Sequence, residues 1–152
     1  MFDSFEFISP DDKPGLIAIS NPERRSRAQT AMTDLDYKIH PAESHEDFRA
    51  RFAKTRYQMV IIDELFCCSL QSENSSLSFL QNSNMSPRRH ATVIFISSQC
   101  QTMNAMQAFQ HSVHAVVHPN DLDRLRALIQ QLATDVDHFY KVFRECQLSY
   151  NL

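Results

Sequence analysis

Residues 57–63 read Tyr-Gln-Met-Val-Ile-Ile-Asp. Four consecutive apolar residues, Met59 to Ile62, end on a carboxylate. A short continuous run of this kind suits a strand buried on both faces, because hydrophobic–polar alternation is needed only where one face meets water. Two similar runs flank it, Leu16-Ile17-Ala18-Ile19 upstream and Thr92-Val93-Ile94-Phe95-Ile96 downstream. A weaker strand is expected at 37–40, stopped by Pro41, and a fifth at 113–117, ending at His118-Pro119.

Helical signals fill the intervals. Asn21 is a good N-cap, and Pro22 sits at the first helical position, where its missing N–H costs nothing. That helix is expected to reach about Asp34. Ser44 caps a second helix, with Phe48, Phe52 and Ala53 as its buried stripe. Leu77, Phe79 and Leu80 mark a short helix inside a stretch rich in Ser, Asn and Gln. A further helix is expected at 102–110 with Met103, Met106 and Phe109 inward. Asn120 is expected to cap the last one. Strands alternating with helices predict an α/β fold, a doubly wound five-stranded parallel sheet with helices on both faces. In such sheets chemistry gathers at the carboxyl ends of the strands. Those ends carry Ser20 and Asn21, Asp63 and Glu64, Ser97 and Ser98, and His118.

Composition narrows the function. A chain of 152 residues corresponds to one domain and needs no disulfide or metal to fold. A single glycine removes both the dinucleotide fingerprint and the P-loop, which need several. A net charge of −3 argues against a nucleic-acid binder. No apolar run is long enough to span a bilayer, and the acidic N-terminus does not read as a secretory signal. Cys67, Cys68, Cys100 and Cys146 follow no metal spacing and read as reduced thiols of a cytoplasmic protein. His111, His114 and His118 are spaced three and four apart, but a strand lies between them, so neither a metal nor a cofactor is expected.

The ordered set of 57–63, Val93-Ile94-Phe95-Ile96-Ser97-Ser98 and Ala115-Val116-Val117-His118-Pro119 followed by Asn120-Asp121-Leu122 resembles the receiver domain of bacterial response regulators. The resemblance covers about 15–134, with 1–14 as an N-terminal arm and 135–152 as a helical extension. It implies that Asp63 holds the place of the phosphoacceptor and Ser97 that of the hydroxyl switch. The family's magnesium-binding acid pair is replaced by Ser20 and Asn21, its lysine by His118, and its aromatic switch residue by Ala115. Magnesium favours carboxylate oxygens, so the metal site is crippled, and Glu64 adds a carboxylate only if the chain turns after Asp63. His118 is expected to lie close to Asp63.

The last helix carries the strongest period. Leu122, Leu125, Ile129, Leu132, Val136, Phe139, Phe143 and Cys146 form a heptad stripe without Pro or Gly. Its first half can cover the sheet. Its distal half, Val136, Phe139, Tyr140, Phe143 and Cys146, is expected to bind a protein partner or a second copy, or else to fold back. The resulting expectation is a stand-alone, degenerate receiver-like signalling domain of the bacterial cytoplasm. It acts through protein–protein interaction and is neither an enzyme nor a binder of nucleic acid or membrane. The alternatives are a phosphorylatable single-domain response regulator using Asp63, and a small hydrolase-like or flavodoxin-like enzyme using Asp63, His118 and Ser97.

Overall fold

The computed structural model describes residues 13–67, 74–82 and 91–135. Five strands, β1 (Lys13–Ala18), β2 (Tyr37–Pro41), β3 (Met59–Asp63), β4 (Thr92–Ile96) and β5 (Ala115–Val117), form one sheet. Every pairing is parallel, and the order is β2-β1-β3-β4-β5. The uninterrupted apolar runs are explained by burial: all five residues of β3 and all five of β4 are buried. Order reverses between β1 and β3, which opens a crevice at their carboxyl ends.

The helices are α1 (Pro22–Asp34), α2 (His45–Lys54), α3 (Ser75–Asn82), α4 (Ala105–Gln110) and a last helix, α5, at 125–135. Phe48 and Phe52 of α2, Leu77 and Leu80 of α3 and Ala108 of α4 pack on one face of the sheet. Ala28, Ala31 and Met32 of α1, with Leu125, Ile129 and Leu132 of α5, pack on the other. The proximal half of the heptad stripe is therefore core. Val136, Phe139, Tyr140, Phe143 and Cys146 lie outside the described residues. The chain's single glycine, Gly15, serves packing and no phosphate loop. A Cβ there would meet Met32 Cε at 2.1 Å, so α1 sits against β1 more closely than a side chain would allow.

Several local expectations are corrected. Strand β1 begins at Lys13, so Lys13 and Pro14 are part of the sheet and not of an arm; the proline is tolerated near the start of its strand. Ala53 is exposed. Strand β5 starts at Ala115, two residues later than the apolar pattern suggests. Asn120 does not cap the last helix: His118 caps a 3-10 turn, Pro119–Arg124, which leads into α5.

The largest correction concerns α4. Its cap is Asn104, whose side chain accepts from Gln107 N. Met103 lies outside the helix with φ 64°, its N–H bonded to Val116 O at 2.8 Å. Ser112 just beyond the helix has φ 57°. A non-glycine residue in the left-handed region costs about 1 kcal/mol or more. With the helix so shortened, Ala108 is its buried residue, and Met106 and Phe109 are 66% and 81% exposed. The helix expected at 102–110 is thus confined to Ala105–Gln110, and Met103, Met106 and Phe109 face outward.

Candidate functional site

The crevice between β1 and β3 is built from the residues that follow each strand. After β1 the chain passes through Ser20 and Asn21. Asn21 Oδ1 accepts from Glu23 N at 3.0 Å and Arg24 N at 3.1 Å, as an N-cap must. Ser20 Oγ accepts from Cys67 N at 2.8 Å. Both polar groups that stand in place of an acid pair are thus occupied by backbone N–H donors.

Asp63 closes β3, with its side chain 3% exposed. The cation facing it is Arg24, one turn into α1, and not His118. Arg24 Nη1 donates to both carboxylate oxygens at 3.2 Å. Burial pushes the Asp63 carboxyl up, and Arg24 pulls it part of the way back. His118 lies at the end of β5 and is occupied locally. Its Nδ1 accepts from Asn120 N at 3.1 Å, and its backbone N–H donates to Thr102 Oγ1 at 3.0 Å. Thr102 in turn donates to Asp121. The expected His118–Asp63 pair is therefore replaced by two separate arrangements. Arg24 reaches Asp63 from α1 on the β1 side, and His118 serves the connection from β5 to α5.

Glu64 is brought into the site by a turn. The strand ends at Asp63, Glu64 N bonds Ile96 O at 2.9 Å, and Phe66 N bonds Asp63 O at 3.1 Å. The carboxylate then swings to the end of β4. Ser97 Oγ donates to it at 2.6 Å, Ser98 N at 3.0 Å and Ser98 Oγ at 2.9 Å. Burial would raise this carboxyl, but the donors from Ser97 and Ser98 hold it below its usual value. Ser97 is wholly buried, so Glu64 supplies the acceptor its hydroxyl needs.

Three contributors were not legible as site residues. Arg24 reads in sequence as part of a solvated Arg24-Arg25 cluster; its position one turn after a strand-end cap was the available signal. Asn74 lies in the Ser/Asn/Gln-rich stretch. It is buried, donates to Asp63 O at 2.9 Å and Glu64 O at 3.2 Å, and caps α3 by accepting from Leu77 N at 3.0 Å. Cys67 holds the far side of the loop, with φ 52° and its thiol 3.4 Å from Glu43 O.

This donor set does not fit a magnesium ion. Ser20 and Asn21 are neutral and already accept hydrogen bonds, and Asp63 faces a guanidinium. Among the described residues no group of three His, Cys, Asp or Glu side chains converges. The carboxylates that remain are satisfied from within the fold.

No family model matches the sequence, and no curated protein matches it. Solved structures do. The signal receiver domain assigned to a LuxO repressor of Vibrio parahaemolyticus superposes with a TM-score of 0.65 at 16% identity, over 86% of this chain and 97% of that one. NtrX from Brucella abortus gives 0.69 at 15% identity over 88% of this chain, which spans 29% of NtrX. An orphan response regulator of H. pylori gives 0.59 at 15% identity, over 79% of this chain and 95% of that one. Five parallel strands in the order 2-1-3-4-5 and these superpositions identify the fold of this chain as that of response-regulator receiver domains.

Proposed function

We propose that this chain is a degenerate receiver-like signalling domain of the bacterial cytoplasm, acting through protein–protein interaction without phosphorylation and without catalysis. The observation that carries the reading is the Arg24–Asp63 ion pair. Phosphoryl transfer to a carboxylate needs a divalent cation to spread charge over the phosphoryl oxygens. Here a fixed side-chain cation occupies the carboxylate, and the neighbouring strand end supplies no carboxylate to hold a metal. The Ser97 hydroxyl, at the position of the family's switch, is already committed to Glu64. The carboxylate and the hydroxyl that a phosphorylation response would use are each engaged inside the fold, Asp63 by Arg24 and Ser97 by Glu64.

The proposed surface for a protein partner is the distal stripe of Val136, Phe139, Tyr140, Phe143 and Cys146, where large aromatic side chains would act as anchors. No helix among the described residues is long and apolar enough to cross a membrane.

The test is intact mass after incubation with magnesium and a small phosphodonor. The expected mass is unchanged. A magnesium-dependent gain of one phosphoryl group, lost in Asp63→Ala, would establish the alternative of a phosphorylatable response regulator, since Asp63 does stand at the end of β3.

A further inference from the structure

We propose that the outer face of α2, with the segment leading from it to β3, docks an acidic helix of a protein partner, antiparallel to α2. Residues 48–62 hold four of the chain's 15 basic residues, Arg49, Arg51, Lys54 and Arg56, and none of its 18 acidic ones. Arg51 holds Asp47 at 3.0 Å. Arg49, Lys54 and Arg56 are exposed and join no ion pair among the described residues. The helix dipole accounts for Lys54 in the last turn of α2. It does not account for Arg49 in mid-helix or for Arg56 beyond its end. Like charges gathered without carboxylates repel one another, in a chain with acids to spare. A partner's carboxylates would relieve that repulsion.

The shape between these cations selects a helix. Helix α2 buries Phe48 and Phe52, so Ala50 and Ala53 stand on its opposite side, both exposed. Two small side chains three positions apart let a second helix approach closely. Helical periodicity puts Arg49 on one flank of this line and Lys54 on the other. Glu46 lies at the amino end of the same line and repels acids there, which leaves the Lys54–Arg56 end to receive them. An antiparallel partner brings its first turn over Lys54 and Arg56, and the first turn is where Asp and Glu stabilise a helix. The arginine forks also match carboxylates, two bonds to each. A nucleic acid or a membrane fits less well. Helix α2 exposes no aromatic side chain on which a base could stack, and no large apolar one that could enter a bilayer.

The surface is also held in place. Ser44 Oγ accepts from Asp47 N at 3.1 Å at the start of α2, and Thr55 N donates to Arg51 O at 3.1 Å at its end. Just beyond Arg56, Gln58 N donates to Pro14 O and Thr92 N to Gln58 O, each at 2.9 Å. These bonds tie the segment to both strands that flank β3. A surface fixed before binding loses less freedom on docking. It is separate from the distal stripe proposed above, and its test does not depend on that stripe.

The probe is a labelled alanine-based peptide of about 16 residues with its glutamates in the first two turns. Fluorescence anisotropy with the full chain at low salt should give a dissociation constant on the order of 100 µM, weakening as salt screens the charges. Lys54→Glu with Arg56→Glu should weaken binding about 30-fold or more. Ala50→Trp changes no charge and should weaken it about 10-fold by blocking close approach. Arg124→Glu with Arg126→Glu makes the same change of net charge on α5 and should leave binding within about 2-fold. All these side chains are exposed, so circular dichroism should match the wild type. The proposal fails if the peptide does not bind at about 2 mM, or if the α5 pair loses as much as the α2 pair. It also fails if Ala50→Trp binds like the wild type. Tighter binding of a single-stranded oligonucleotide or of phosphatidylserine vesicles, lost in the Lys54/Arg56 variant, would likewise overturn it.

Discussion

Glu64→Ala is expected to lose about 3 kcal/mol of stability at pH 7 and roughly 10 °C in melting temperature. The carboxylate accepts from Ser97 Oγ, Ser98 N and Ser98 Oγ. Ionised acceptors make the stronger class of hydrogen bond. Truncation also removes the acceptor of the Ser97 O–H, which has no exposure to water, although Ser97 Oγ still accepts from Gln99 N. Glu64→Gln keeps one acceptor oxygen and is expected to cost about half as much. The sign with pH follows from the direction of the shift. The folded-state carboxyl is held below its ordinary value of 4.5. Its stabilisation is therefore complete above 4.5 and is lost as pH falls through the depressed folded value. Urea unfolding of wild type and variant between pH 8 and 3 checks both points. A variant within about 0.5 kcal/mol of wild type at pH 7 would show that the cluster contributes little.

Arg24→Ala is expected to cost about 2 kcal/mol at pH 8, less than for a fully buried pair because the arginine is 25% exposed. The loss leaves Asp63 ionised and enclosed, with its strongest counter-charge gone. Asp63 already titrates above its ordinary 3.8, because burial outweighs Arg24. A carboxyl with a raised folded pKa is least costly where it is protonated. Its penalty disappears as pH falls through the raised folded value toward 3.8. Without Arg24 that value rises further, so the gap between variant and wild type should narrow on acidification, starting at a higher pH than the narrowing seen with Glu64→Ala. Asp63→Asn in the Arg24→Ala background should recover most of the loss, with a coupling energy of about 1–2 kcal/mol in the double-mutant cycle. If the two single losses simply add, the pair is not coupled and the reading of a blocked carboxylate weakens with it.

The surroundings of these two carboxylates are set by the fold and not by the local sequence. Asp63 and Glu64 are adjacent, and strand geometry alone sends neighbours to opposite faces. Only the turn after Asp63 brings Glu64 to the end of β4, and nothing in Glu64-Leu65-Phe66 announces that turn. Likewise, sequence proximity made Arg24 a neighbour of Arg25 on an exposed helix. Parallel pairing of β1 and β3 makes it a neighbour of Asp63, thirty-nine positions away. Satisfaction of a buried charge depends on what the topology delivers to it, and residue type does not specify that.

What the sequence by itself determined is the sheet. The apolar runs ending at Ile19, Ile62 and Ile96 required double-sided burial, and their caps and prolines placed the helices between them. That information is local: periodicity, propensity and capping act over a few residues. The tertiary structure alone decided which face α4 buries. Met103, Met106 and Phe109 have the spacing of a core stripe, yet α4 begins only after a left-handed residue, and Ala108 is its buried member. Helical spacing specifies that one face differs from the other. Which face meets the sheet is set by where the preceding turn releases the chain, and that turn is held by a bond from Met103 N to Val116 on a different strand.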